Sequence, residues 1–241
     1  SNDFNDILSD LDKSKFSHEN SSSKGSVKIF SKGTSIEHQS QVKSCIDYIY
    51  QGEIFQANLS RLWRFKVDEE LTDIDIYRKL REKNPAPFAG IVKYKKSSII
   101  SSSPERLISI SGDHLQTRPI AGTRPRGTSG IVDVELTREL INSDKEKAEH
   151  LMLVDLERND ISKVCEPGSV KVDEMMSIET YAHVHHIVSN ISGKKRKNIN
   201  PGEIIKSVFP GGTITGCPKV RCMEILAELE KEGRGPYTGS F

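Results

Sequence analysis

Apolar residues along this chain change period several times, and each change marks an element. Val42, Cys45, Ile46 and Ile49 recur at helical spacing until Gly52 stops the segment, and Ile54 to Val67 then alternates as a strand does. On that strand Phe55, Ala57, Leu59, Trp63 and Phe65 share one face. Gln56, Asn58 and Ser60 form a polar row on the other, facing solvent or lining a cavity. A helix near Ile74–Lys83 is followed by predicted strands at Phe88–Tyr94, Ser98–Ser102, Arg106–Ile110 and His114–Arg118. The stretch from Ser143 to Asp160 predicts a helix starting near Asp144 and running to about Val164, with Ser143 and Glu146 spaced as a capping box. Leu151 to Leu156 is too apolar to face water on more than a narrow strip, yet Glu146 and Glu149 share a face beside it. Carboxylates so placed need a cation or a proton. Strands near Ser169–Val172 and His183–Ile191 come next, then a helix at Ile204–Val208. In the last predicted helix Pro218 suits the first turn, Val220, Met223, Leu226 and Leu229 form the apolar stripe, and Gly233 ends it. Strands in runs with helices between them imply an α+β fold rather than a doubly wound one.

Residues 1–35 are polar, apart from Phe4, Ile7, Leu8 and Leu11 at helical spacing, and are expected to form a docked helix and a linker ahead of a domain over 36–241. The 241 residues, 35% hydrophobic and 29% charged, suit one globular domain with a sizeable core. A formal charge of +1 gives no reason to expect nucleic acid, although RPIAGTRPR and KKRK are locally basic. No stretch approaches the roughly 20 apolar residues of a membrane span, and no charged-then-apolar leader is visible, so a cytoplasmic protein is expected. Cys45, Cys165, Cys217 and Cys222 lack metal-site spacing and read as reduced packing residues. Cys217, in a glycine-rich turn before a helix, is the one placed where a thiolate could be stabilised.

Candidate chemistry is concentrated in four segments. Glu105, after Pro104, is either an exposed turn residue or a general acid held in a cleft. Gly122, Thr123 and the Arg124–Gly127 turn could cradle an anion, as could Gly211 to Gly216 ahead of the final helix. The latter is not a nucleotide P-loop, because Lys219 lies inside the helix. His185 and His186 fall on opposite strand faces, so at most one serves a given site. Glu224, two turns into the final helix, and an acid of the Ser143–Asp160 helix could together hold a hard cation such as Mg²⁺.

The segments PERLISISGDHLQTRPIAGTRPRG, DKEKAEHLMLVDLERND and FPGGTITGCPKVRCMEILAELEKEGRGPYTG, in this order, resemble the chorismate-utilising enzymes. These include anthranilate synthase component I, aminodeoxychorismate synthase component I, isochorismate synthase and salicylate synthase. The resemblance covers roughly residues 40–241 and implies large antiparallel sheets packed as a sandwich with helices outside. It implies Mg²⁺ held by Glu149 and Glu224 with Glu146 beside them, Glu105 as the acid protonating the departing hydroxyl, and His186 as the active-site histidine. Thr123 and Gly122 match residues around the ring and leaving hydroxyl, while Gly212, Thr213, Tyr237 and Gly239 match substrate-carboxylate segments.

Gln56 stands where the water-using branches carry a lysine, and a neutral amide cannot act as that base. Ammonia is therefore the expected nucleophile, with a glutamine amidotransferase partner supplying it. The double glycine of FPGGT, the His185–His186 pair and Asn58 resemble aminodeoxychorismate synthase, making 4-amino-4-deoxychorismate the first reading and anthranilate the second. Ala121 replaces the lysine of PIKGT, which removes a covalent route through that side chain. The resemblance also implies a longer N-terminal region and further strands after PYTG, so the chain reads as a core piece truncated at both ends. A non-catalytic binding domain that keeps the fold is the alternative of another class.

Overall fold

The computed structural model describes residues 26–32 and 34–240. The apolar residues from Phe4 to Leu11 lie outside them. The segment expected to be linker contains a strand, β1 (Val27–Lys32), paired antiparallel with β3 (Trp63–Val67). Only Val27 and Ile29 mark it, too short an alternation to stand out from the lysines beside it.

Helix α1 (Ser35–Tyr50) starts at Thr34, whose hydroxyl accepts from the Glu37 N–H. The predicted strand from Ile54 to Val67 is interrupted. Only β2 (Gln56–Ala57) and β3 are extended, because the Ser60 N–H goes to the Glu230 carboxylate at 2.7 Å and the Asn58 carbonyl to the Arg234 guanidinium. Phe55, Trp63 and Phe65 are consequently exposed rather than sharing a buried face. Helix α2 (Asp73–Lys83) carries a complete capping box from Thr72 and Asp75, and β4 (Phe88–Tyr94) pairs with β5 (Ser97–Ser103) as a hairpin.

The largest sheet contains β6 (Ser109–Ser111), β7 (His114–Thr117), β8 (Ile120–Pro125), β9 (Lys171–Thr180) and β10 (Val184–Lys194). β10 is central: β8 and then β7 lie along one edge and β9 along the other, all antiparallel. His185 to Gly193 are all buried, which suits its β-branched residues and requires partners for its polar ones. β6 begins at Ser109, three residues later than predicted, and β8 is a strand where the sequence suggested a turn.

Helices α3 (Gly130–Asn142) and α4 (Asp144–Ser162) cover one side of the sheet. α3 was not predicted, since Ile131, Val132 and Val134 face outward and only Leu140 is buried, leaving no apolar stripe. α4 matches its prediction closely, but its capping box is half formed: Ser143 Oγ accepts from the Glu146 N–H while the Glu146 carboxylate turns to Arg124. Val154, Ile161 and Val164 pack with Leu115, Ile191, and Ile204 and Val208 of α5 (Pro201–Val208), forming the main core. A second cluster joins Cys45 of α1 and Ile54 to Cys222 and Ile225 of α6 (Lys219–Glu230). The α6 stripe is corrected by the structure: Cys222, Ile225 and Leu226 are buried, Val220 and Met223 are exposed, Pro218 is the N-cap, and Lys231 rather than Gly233 takes the left-handed C-cap. Antiparallel sheets with inserted helices make the expected α+β fold.

Candidate active site

Glu105 follows β5 at a kink and turns into a cavity of about 100 Å³ that also reaches Glu157, Asp160, Gly212, Thr213 and Gly239. Thr213 Oγ1 donates to Glu105 Oε1 at 2.8 Å. Burial pushes the Glu105 carboxyl up to about 7, against the opposing pull of the Thr213 hydroxyl and the Ile120 backbone hydrogen bond. It thus keeps a substantial protonated fraction at neutral pH, the state a proton donor requires.

Thr213 is delivered by a 3₁₀ turn, Gly212–Ile214, lying against α4. A Cβ on Gly212 would stand 2.4 Å from Leu156 Cδ2, so any larger residue would have to push the Leu156 side chain aside. The glycine run is not the helix-terminal anion cradle suggested by sequence, because this turn and β11 (Gly216–Cys217), paired to β2, intervene before α6. Thr238 and Gly239 reach the cavity, but Tyr237 is 54% exposed and stacks near the Arg234 guanidinium in a separate groove.

On β8 a bulge does the positioning. Ile187 pairs with Ala121 and His186 with Thr123, leaving Gly122 as the extra residue at φ +80°. Thr123 thereby stands opposite His186, and its Oγ1 lies 2.9 Å from His186 Nδ1. Burial lowers the His186 pKa, so the ring is neutral at neutral pH. His185 points the other way, to Asp133 at 2.9 Å, as the strand period required. Asp133 also binds Arg126 and the Gly127 N–H, and Arg124 binds Glu139 and Glu146. The guanidinium groups expected to attract an anion are therefore satisfied within the protein.

Gln56 Nε2 donates to Glu149 Oε1 at 2.9 Å, while Gln56 Oε1 is buried with no partner among the described residues. Glu146 accepts from Arg124 Nη1 at 3.2 Å. Glu224 does not join these acids. Its side chain is 59% exposed, pairs with Arg221 on the same helix, and points away from the Cys222–Ile225–Leu226 face. Among the described residues no group of three His, Cys, Asp or Glu could hold a metal ion. The residues present do not fit the expected two-helix magnesium site, and no step below is routed through a metal.

Two acids in the cavity escaped the sequence reading. Asp160 pairs with Lys219 and Lys163, and Glu157, 8% exposed, contacts Thr117. Glu157 lies one turn beyond Leu153 and one before Ile161, so the helical period alone places it on the buried side. The Cys217 thiol is pushed up by burial and by Asp155 and Asp160, the opposite of an activated thiolate.

A family model described as chorismate binding enzyme matches residues 2–241. Aminodeoxychorismate synthase component 1 of Bacillus subtilis is 51% identical over 200 residues, covering 83% of this chain and 42% of that protein. Anthranilate synthase component 1 of Saccharolobus solfataricus is 46% identical over 199 residues, covering 83% of this chain and 47% of its own length. The crystal structure of anthranilate synthase component I from Streptococcus pneumoniae superposes with a TM-score of 0.79 at 31% identity, covering 98% of this chain and 52% of that one. The chain thus spans less than half the length of these two sequence relatives.

Proposed function

Because this chain belongs to the chorismate binding enzyme family, we propose that the protein it comes from aminates chorismate with ammonia. The observation that carries this reading is Gln56. Its amide is neutral, it is anchored on Glu149, and its buried Oε1 is an acceptor that suits an N–H donor rather than a base that could activate water. Glu105, held by Thr213, gives its proton to the departing hydroxyl as the C–O bond breaks, and the oxygen leaves as water. Ammonia then bonds to the ring carbon. A glutamine amidotransferase partner is the proposed source of that ammonia, as part of the same reading.

4-Amino-4-deoxychorismate is our first choice of product, on the His185–His186 pair, the Gly211–Gly212 pair and Asn58. Anthranilate is the second, favoured by relatives that carry the name anthranilate synthase component 1. The product decides between them. The full-length protein, given chorismate and ammonium without added lyase, is expected to yield an amine that keeps its enolpyruvyl group by mass. Fluorescent anthranilate with released pyruvate would select the second reading, and no heat of chorismate binding by calorimetry would leave a non-catalytic domain.

A further inference from the structure

Glu157 is the buried carboxyl that the reaction above leaves unused. It forms part of the wall of the Glu105 cavity, and no ion pair reaches it among the described residues, the nearby Lys219 and Lys163 both being engaged by Asp160. The Thr117 hydroxyl bears on its protonation state. Thr117 Oγ1 lies 3.2 Å from the Leu107 carbonyl and also within hydrogen-bond reach of Glu157 Oε2. A hydroxyl has one hydrogen, and a carbonyl can only accept it. Both contacts are full hydrogen bonds at once when Thr117 donates to Leu107 and Glu157, as a neutral acid, donates to Thr117; a Glu157 carboxylate would instead take the Thr117 hydrogen and leave the Leu107 carbonyl without it. The surroundings favour the neutral form: burial, with the Glu105 and Asp160 carboxylates adding, outweighs the hydrogen bond that Thr117 would give a carboxylate and the Lys219 charge, and pushes Glu157 up to about 8.

We propose that Glu157 is the proton store for Glu105, returning a proton to it through water in their shared cavity after each turnover. The inference rests on Glu105 being the acid of the proposed reaction, and Glu157 acts through it rather than on substrate. When Glu105 has protonated the departing oxygen it is left as a carboxylate. The Glu157 O–H bond then breaks, a cavity water accepts that proton, and the same water passes one of its own to Glu105. Thr117 turns its hydroxyl from Leu107 to the new Glu157 carboxylate. Glu157 recovers a proton from solvent on the side of Asp160, one turn along α4, where Lys163 is 54% exposed. The proton taken up leaves on the product amine in its ammonium form, so the cycle balances.

Carboxyl NMR of this chain, labelled at glutamate Cδ, tests the resting state without substrate. Glu157 is expected to be protonated at pH 7, and Glu105→Gln is expected to lower its midpoint by removing a neighbouring charge. A Glu157 carboxylate at pH 7 would overturn the proposal. In the full-length protein, Glu157→Gln preserves the donor to Thr117 and so tests proton return rather than packing. Its first turnover draws on the proton already on Glu105, whereas steady-state turnover is expected to fall by about tenfold or more, as for a displaced proton-transfer group. An unchanged ratio of first-turnover to steady-state rate sinks the store. If Glu105→Gln itself keeps its first turnover, the acid assignment has failed instead.

Discussion

Glu149 and Glu224 were assigned one duty by sequence, and their surroundings separate them. Glu149 holds the Gln56 amide on the inner side of α4, whereas Glu224 sits in an exposed pair with Arg221. A solvent-exposed ion pair contributes little, so Glu224→Gln is expected to leave both stability and turnover of the full-length protein unchanged. Glu149→Ala releases Gln56 from its anchor, and misplacement of a group beside the reacting atoms can cost about 100-fold in rate. Steady-state assays with circular dichroism on both variants check this; comparable losses of turnover at the two positions would restore Glu224 to the site. Period and spacing could place both glutamates on helices, but not tell which way α6 faces. Val220 and Met223 suggested one buried stripe, and packing against Cys45 and Ile54 selected another.

The same limit runs through the longer elements. α4 was legible because its cap, its apolar run and its packing all agree. β8 was not, because its Gly-Thr-Arg-Pro sequence carries turn residues, and what makes it a strand is the distant β10 edge that accepts it. The Thr123–His186 contact depends on the bulge between them, a feature no local pattern announces. Gly122 makes this testable. Alanine there would hold a left-handed φ, with its Cβ 3.0 Å from Leu140 Cδ1 and 3.1 Å from Glu146 Oε2. Strain of that kind costs about 1–3 kcal/mol. Gly122→Ala is expected to lower the urea midpoint accordingly and to move the His186 imidazole ¹⁵N shifts as Thr123 leaves. Wild-type shifts in a destabilised variant would show that the bulge does not set the contact.

Protonation ties the cavity to the stability of the entire fold. Glu105 and Glu157 titrate at about 7 and about 8 when folded, against an ordinary value of 4.5. Below that ordinary value both states hold the protons and the contribution is complete. Between it and about 8 the unfolded chain has released protons that the folded chain still keeps, so stability falls as pH rises. Asp133, Asp173 and Glu230 act in the opposite sense. Held low chiefly by Arg126, by Ser192 and by Arg234 with Ser60 respectively, they contribute stability that disappears as pH falls through their folded values. The two sets oppose each other and put maximum stability on the mildly acidic side of neutrality. Each unit separating folded from unfolded pKa is worth about 1.4 kcal/mol, making the alkaline loss large enough to read in urea melts. Between pH 5 and pH 8 the midpoint of the wild-type chain is expected to decline steadily. The Glu105→Gln, Glu157→Gln double variant, neutral at both positions throughout, is expected to give a flatter profile over the same range. Parallel profiles would mean that these two carboxyls are already ionised in the folded protein, which would remove the proton donor and its store together.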